Sequence, residues 1–290
     1  MLLIASYSFG FYYLPPPTLS DEAIWKLGWR MTENYWNEHY ELAELQFDSL
    51  LAHSHQTEEK FLIVGLQIKN QQGKKDELAT ILSNQPSAVL REVCQRPFAK
   101  EFEACRDVPR EKVKNPTLQR ELLAMYVDDQ ASRGNLMKDI IERYQLDSAR
   151  VTQDNGVAVD QRNRDQLKKI IKKHGFPDRA LVGRDAMRGV FLIIQHADRD
   201  QEWQQSQLSN IELAVHRDDL DGQAYAYLYD RIQRNSGKKQ RYGTQFVRVD
   251  PEEKIVELAD TEAVDSLDER RREIGMMPIE TYKRFMLKNL

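Results

Sequence analysis

The segment DAMRGVFLIIQHAD, residues 185–198, carries the strongest structural signal in the chain. Its central run from Val190 to Ile194 is apolar on every side of a helix, which is typical of a helix buried at the centre of a bundle. The run ends abruptly in the polar residues Gln195, His196 and Asp198. Buried polar groups are costly unless they are paired, so the end of this helix predicts an organised polar site.

Further helices are predicted along the same half of the chain. Apolar residues recur at helical spacing in several stretches, at residues 117–134, 136–144, 163–174, 201–217 and 222–235. Gly175 and Pro177 form a typical helix stop after the third of these. Residues 147–159 are predicted as a loop, and Leu267–Ile274 is predicted as the last helix.

Two short apolar runs, at residues 247–249 and 255–256, flank the sequence Asp250-Pro251-Glu252-Glu253. Proline suits the second position of a type I turn, so these runs predict a small β-hairpin near residues 245–258. The patterns together predict an all-α fold, a helical bundle, with this one small β-hairpin.

The chain divides into two predicted regions. Residues 1–110 read as a stack of helical hairpins without a repeat of fixed period. The segment REKVKNP, Arg110–Pro116, is charged, unpatterned and closed by Asn-Pro, which is typical of a boundary. We therefore expect an N-terminal helical region at 1–110 and a C-terminal helical domain at 117–290 that carries the polar motifs.

Composition limits the classes of function. The chain of 290 residues is 41% hydrophobic and 30% charged, which excludes wholesale disorder and a membrane protein. Its formal net charge of -4 gives no basic face for a nucleic acid. We expect no nucleic-acid partner and no transmembrane segment; the ligand would be a small molecule or a protein.

The N-terminal sequence and the two cysteines bear on the compartment in which the protein resides. The first 14 residues form a largely apolar stretch, which is too short to span a bilayer and predicts a strand or arm packed onto the body. A cytoplasmic location is favoured, and export with a truncated or atypical signal segment is the alternative. Cys94 and Cys105 are interpreted as two small, partly buried thiols, and a disulfide between them would require an oxidising compartment.

Seven motifs in the C-terminal half resemble those of a bacterial domain family of unknown function. They are DQASR at 129–133, GFP at 175–177, LVG at 181–183, QHAD at 195–198, AYLYDR at 226–231, GKKQRYGTQ at 237–245, and DERR at 268–271 with its continuation to residue 282. The sequence MMPI at 276–279 departs mildly from the usual LPPL. The resemblance covers residues 117–287 and implies a shared domain, but that family brings no established reaction.

His196 is the candidate acid or base, because histidine exchanges protons near neutral pH. Asp198, two residues further on, does not share its helix face, so the carboxylate partner must come from elsewhere. Asp129 and Asp230 are the candidates. Asp129 also lies one helical turn before Arg133 on an apolar face, which predicts a partly buried ion pair.

The remaining candidates would contact a substrate. Arg133 and Arg231 would stabilise an anion, and the loop GKKQRYGTQF at 237–246 offers donors and acceptors that do not titrate near neutral pH. The predicted substrate-binding residues are Arg133, Gln195, Arg231, Gln240, Tyr242 and Gln245. This loop lacks the spacing of a phosphate-binding loop, and no helix is predicted directly after it.

Two hypotheses follow from these residues. One is a binding or scaffold module with a polar pocket in the C-terminal domain. This hypothesis is favoured because a resemblance between domains does not establish a chemical reaction. The other is a metal-independent hydrolase or transferase with His196 as general acid and base. One histidine and scattered acids make no recognised ligand set, so we expect no metal site and no cofactor.

Overall fold

The structure, a computed structural model, describes residues 19–53, 57–147 and 155–289. The predicted N-terminal arm lies outside these ranges. The first helices are α1 (Asp21–Trp36), α2 (Tyr40–His53), α3 (Glu59–Gln71), α4 (Lys75–Ser83) and α5 (Ser87–Val93). Two 3-10 turns follow, at Pro97–Ala99 and Glu103–Cys105.

The C-terminal half continues the helical architecture. Its helices are α6 (Pro116–Ala131), α7 (Lys138–Tyr144), α8 (Gly156–His174), α9 (Arg179–Val182), α10 (Arg184–Gln195), α11 (Gln201–Ser206), α12 (Leu208–His216), α13 (Gly222–Asn235), α14 (Leu267–Glu273) and α15 (Ile279–Lys288). Strands β1 (Phe246–Asp250) and β2 (Ile255–Leu258) form an antiparallel hairpin in which Val249 pairs with Val256. The predicted fold class, all-α with one small hairpin, is confirmed.

The prediction of a central buried helix is confirmed by α10. Val190, Ile193 and Ile194 are at most 2% exposed, and α10 packs along α6. A Cβ at Gly189 would lie only 2.7 Å from the Cβ of Tyr126, so the missing side chain lets the two helices approach closely. This approach brings the end of α10 beside the end of α6, where the candidate site lies.

Three helix predictions need correction. Helix α8 begins at Gly156, inside the predicted loop, because Asn155 acts as its N-cap and accepts the backbone N–H of Ala158 at 3.0 Å. The predicted helix at 201–217 breaks at Gln207 into α11 and α12. Beyond the predicted last helix lies α15, which Pro278 precedes as N-cap residue.

The N-terminal helices form their own apolar core. It includes Trp25, Phe47 and Phe61, each at most 4% exposed. Ser20 caps α1 by accepting the backbone N–H of Ala23 at 3.2 Å. Lys69 on α3 is 2% exposed, and its ammonium group is surrounded by the carboxylates of Glu44, Asp48 and Glu77. Such burial of a lysine is tolerated because several acids pair with it.

Side chains join the N-terminal helices to the C-terminal half. The indole N–H of Trp25 donates to the buried carbonyl of Met276 at 2.7 Å. Arg184, at the start of α10, pairs with Glu59 of α3 at 2.6 Å. These contacts do not test whether residues 1–110 and 117–290 fold as separate domains, which stays a prediction.

Cys94 and Cys105 form a disulfide, with their Cα atoms 5.3 Å apart. The interpretation as two thiols therefore needs correction. Each cysteine is only half-buried, and the turns between residues 97 and 105 bring the two ends of this short segment together. Within the described ranges, no helix is both long and apolar enough to cross a lipid bilayer.

Candidate functional site

His196 meets Asp129 where α10 and α6 end side by side. The imidazole Nδ1 lies 2.8 Å from Oδ1 of Asp129. Asp129 is 1% exposed, whereas the side chain of His196 is 16% exposed. An ionised carboxylate can only accept hydrogen bonds, so Nδ1 carries a hydrogen, and in the neutral ring the lone pair lies on Nε2. Of the two predicted carboxylate partners, the structure thus places Asp129 against His196.

Polar side chains hold both oxygens of the Asp129 carboxylate. The amide of Gln130 donates to Oδ2 at 2.8 Å, and Arg133 lies 3.3 Å from Oδ1. Desolvation by burial alone would raise the pKa of Asp129, but the hydrogen bond and charge of His196, with the help of Gln130 and Arg133, outweigh it and lower that pKa. Asp129 therefore keeps its negative charge despite its burial.

Arg133 connects this pair to Asp160 on α8. Its second terminal nitrogen donates to Oδ1 of Asp160 at 2.7 Å, and the predicted ion pair with Asp129 is present. Sequence reasoning missed Asp160, because it belongs to none of the motifs and directly follows the segment predicted as loop. Recognising Asn155 as a helix cap would have placed Asp160 on the first turns of α8.

His196 lines a cleft of about 320 Å³. The lining residues come from the first turns of α8 and from the segment after α10, and they are Val157, Asp160, Gln161, Arg164, His196, Asp198 and Arg199. His196, whose Nδ1 is held by the buried carboxylate of Asp129, is therefore one of the residues that line the cleft. A ligand in it would lie beside a group that exchanges protons.

Asp198 and Arg231 form a two-point ion pair at the edge of this cleft. The Nε of Arg231 donates to Oδ1 at 2.7 Å, and a terminal nitrogen donates to Oδ2. Burial would raise the pKa of Asp198, but the hydrogen bond and charge of Arg231 lower it. The pKa of Arg231 is raised mainly by that same hydrogen bond. Arg231, predicted as an anion-binding group, thus already has a carboxylate partner.

Asp230 lies in a second, sealed cluster. It is fully buried and accepts the backbone N–H groups of Arg241, Tyr242 and Thr244, at 2.7, 3.1 and 2.9 Å respectively. Desolvation by burial raises the pKa of Asp230, although these backbone donors oppose that shift. Asp230 therefore fixes the loop between α13 and β1, and it does not contact His196.

The predicted loop contacts belong to the same sealed cluster. Gln240 is 1% exposed; its amide donates to the carbonyls of Gln245 and Ala259 at 2.9 and 3.0 Å. Tyr242 is 8% exposed, and its backbone carbonyl accepts a hydrogen bond from the buried Arg271. The structure brings Gln240, Tyr242 and Gln245 together with Asp230, away from the cleft lining.

Gln195 lies at the C-terminal end of α10 and is half-buried. Its backbone carbonyl accepts the amide of Gln204 at 3.0 Å. Its side chain makes no hydrogen bond with any residue in the described ranges. Gln204 itself is fully buried and also donates to the carbonyl of Ile194, which stabilises the turn that positions His196.

Three side chains at the site have atoms of the kind that bind metals. Nitrogen or oxygen atoms of Asp129, Asp160 and His196 lie within 4.8 Å of one another. The sequence predicted no such set, because Asp160 was not recognised. The guanidinium of Arg133 already contacts both carboxylates, so a metal ion bound here would have to replace Arg133 as their shared cation.

A larger groove of about 920 Å³ lies along α6, α7 and α8. Its lining contains acidic and basic side chains, such as Glu121 and Lys169, together with apolar residues such as Met125 and Ile141. None of the predicted site residues lines this groove. Among the predicted site residues, His196 lines the smaller cleft instead.

Comparison with known proteins gives one family match, in the C-terminal half of the chain. Residues 116–289, more than half of the chain, match the model of a family of unknown function, DUF6624. No curated protein and no solved structure matches the chain significantly. The match begins at the first residue of α6 and runs through α15, and so includes both polar clusters. On this match, the chain belongs to the family of unknown function DUF6624.

Proposed function

We propose that the cleft beside His196 is a ligand site in which His196 acts as general acid and base in hydrolysis or group transfer. One observation carries this proposal: the buried carboxylate of Asp129 holds Nδ1 of His196 at 2.8 Å, and His196 lines the cleft. A carboxylate at Nδ1 selects the tautomer whose Nε2 can accept a proton. The orientation is set before any ligand arrives.

The chemical step needs only water and the substrate. Nε2 of His196 accepts a proton from a water molecule while the water oxygen bonds to the electrophilic carbon or phosphorus of the substrate. The leaving group departs with the electron pair of the broken bond. It then takes the proton from the imidazolium, which restores the neutral ring. Asp129 stabilises the transient positive charge on His196 and acts as a positioning residue.

The alternative is a binding or scaffold module without chemistry. It is favoured by a specific observation, the sealed cluster around Asp230, in which buried polar groups serve only to fix a loop. The two functions differ in what the loss of His196 does. In a scaffold the substitution changes stability, whereas in an enzyme it removes turnover from a folded protein.

The test is His196→Gln in the full chain, assayed with para-nitrophenyl acetate and para-nitrophenyl phosphate. Glutamine keeps the size and polarity of the side chain but cannot take up a proton. We expect hydrolysis to fall by about 10²- to 10⁴-fold, the usual contribution of a general base, with the circular dichroism spectrum unchanged. His216→Ala is the matched control, because His216 is exposed at the end of α12.

A chelator is added in a parallel series to separate metal-assisted hydrolysis from hydrolysis by the protein alone. Turnover of either ester by folded His196→Gln at the wild-type rate would refute the acid–base role. Absence of turnover in the wild-type chain, with a loss of stability in His196→Gln, would favour the scaffold.

We further propose that the protein matures in an oxidising compartment. The disulfide supports the exported alternative over the cytoplasmic one, since cytosolic thiols are kept reduced. Closing this short loop raises the free energy of unfolding by about 2–3 kcal/mol, because the disulfide lowers the entropy of the unfolded chain. Alkylation of the protein in acid-quenched cells should leave Cys94 and Cys105 unmodified, with the Cys94→Ser/Cys105→Ser variant as control. Two rapidly alkylated thiols would contradict the proposal.

A further inference from the structure

The charged groups of the cleft can be divided by whether other residues already pair with them. Both carboxylates that line it are paired: Asp160 with Arg133, and Asp198 with Arg231. A carboxylate that already has a guanidinium partner has little attraction left for a cationic ligand. The sign of the charge that the cleft accepts is therefore decided by its remaining cations.

Two arginines of the lining retain free hydrogen-bond donors. Arg199 is exposed and makes no hydrogen bond or ion pair with any residue that the structure describes. Arg164 uses Nε and one terminal nitrogen on its neighbour Asp165, at 3.3 and 3.2 Å, and lies 3.5 Å from Asp200. Within the described chain, its other terminal nitrogen has no hydrogen-bond partner.

Arg164 is also held in place. Its side chain is only 14% exposed, so its guanidinium is positioned by packing and loses little conformational freedom when it binds. Arg199, by contrast, is exposed at the rim. A largely buried guanidinium and an exposed one on the same lining give two groups that can pair with an oxyanion.

From this distribution we infer that the cleft binds an anionic group, a phosphate or a carboxylate, between Arg164 and Arg199 and beside His196. This inference rests on the proposed function and names its substrate class: esters or anhydrides that carry such a group. It also moves the anion-binding role from Arg133 and Arg231, which do not line the cleft, to Arg164 and Arg199, which do. The new role belongs to residues outside the predicted set.

The test is a titration of the full chain with inorganic phosphate and, separately, with acetate at constant ionic strength. Binding is followed through the imidazole resonances of His196 in nuclear magnetic resonance spectra. We expect a saturable shift of the His196 signals and none for the exposed His216. Arg199→Ala and Arg164→Gln should each weaken phosphate binding at least tenfold, which is the loss of about one charged hydrogen-bonding group.

Arg30→Ala is the matched control, since Arg30 is exposed on α1 and makes no ion pair with the described residues. A stronger response to phosphate than to acetate would identify a phosphate site, and the reverse order a carboxylate site. The inference is overturned if neither anion shifts His196, or if the Arg199 and Arg164 variants bind as tightly as Arg30→Ala.

Hydrolysis of the uncharged ester separates this inference from the proposed function. If His196→Gln abolishes turnover of para-nitrophenyl acetate while phosphate and acetate ions do not bind, the acid–base role stands and the anionic substrate class is wrong. If the anions bind through Arg164 and Arg199 but His196 is dispensable for turnover, the anion site stands and the catalytic proposal is wrong.

Discussion

Asp129 and Asp230 are both buried aspartates on helices, and they differ in almost everything else. Asp129 is 1% exposed and is held by the side chains of His196, Gln130 and Arg133 beside a cleft. Asp230 is 0% exposed and is held by three backbone N–H groups of one loop. Burial alone therefore does not distinguish a candidate site from a structural one.

The nature of the partners makes the distinction. Backbone N–H groups cannot titrate, so Asp230 can only fix the position of its loop. The group that holds Asp129 is an imidazole, which we propose acts as an acid and base toward a ligand. The pKa values of the two aspartates shift in opposite directions, also because their partners differ. At Asp230, desolvation dominates, whereas at Asp129 the positive partners outweigh it.

The largest effect on stability is expected from Asp230→Ala. The substitution leaves three backbone N–H groups, two of them buried, without an acceptor, so the free energy of unfolding should fall by about 3–5 kcal/mol. Urea unfolding measures the change. Asp250→Ala is the matched control, because Asp250 also accepts a backbone N–H, that of Glu253, but at an exposed turn. Equal losses in the two variants would contradict the distinction between the clusters.

Asp129→Asn should mainly affect activity. The amide retains the size of the side chain but no longer secures the hydrogen on Nδ1 of His196, so hydrolysis should fall by about 10²- to 10⁴-fold. The free energy of unfolding should fall by only about 1–2 kcal/mol. The pH dependence of the residual rate should also change, which a purely structural role of Asp129 would not produce. An unaltered pH profile would argue against Asp129 as a positioning residue.

Gly243→Ala tests the packing of the sealed cluster. Gly243 has φ +67°, and a Cβ there would lie 3.2 Å from side-chain atoms of both Ile279 and Leu267. Strain and crowding together should cost about 1–2 kcal/mol of unfolding free energy. Gly237 has φ +68° but open space around it, so Gly237→Ala should introduce backbone strain without crowding. A cost for Gly243→Ala no larger than that of Gly237→Ala would mean that the cluster adapts easily.

The smallest effect is the pH dependence of stability. The lowered pKa of Asp129 gives a contribution that is present above the pKa of the unfolded chain and is lost as pH falls through the folded pKa. The raised pKa of Asp230 acts in reverse, because its contribution is present at low pH and is lost as pH rises through the folded pKa. Carbon-detected titration of the aspartate carboxyls should show Asp230 titrating above Asp129. The reverse order would remove the electrostatic distinction.

Local pattern was sufficient for most of the fold. The apolar run at residues 190–194 predicted the buried α10, and the turn at Asp250-Pro251 predicted the hairpin. Two errors occurred at residues whose type is compatible with two different local structures. Asn155 lies within the segment predicted as a loop but caps α8, and Pro278, which follows the helix predicted as the last one, is the N-cap residue of α15.

Part of the candidate site was also predictable. The spacing of Asp129 and Arg133 is a property of one helix, and the expected ion pair is present. The choice between Asp129 and Asp230 as the partner of His196 was not open to sequence reasoning, because each lies on a different helix from His196. Asp160 was missed because it belongs to no motif and directly follows the segment predicted as loop, and its contact with Arg133 joins α8 to the residues after α6.

The amino-acid sequence by itself determined most of the helical segments, where the hairpin turns, and that ionisable groups follow the buried α10. These features depend on residues within a few positions of one another, whose spacing is set by the helix or strand itself. Only the tertiary structure decided which carboxylate holds His196 and which polar residues are sealed. Those contacts depend on how helices distant in sequence pack, and on the close approach of α6 and α10 at Gly189.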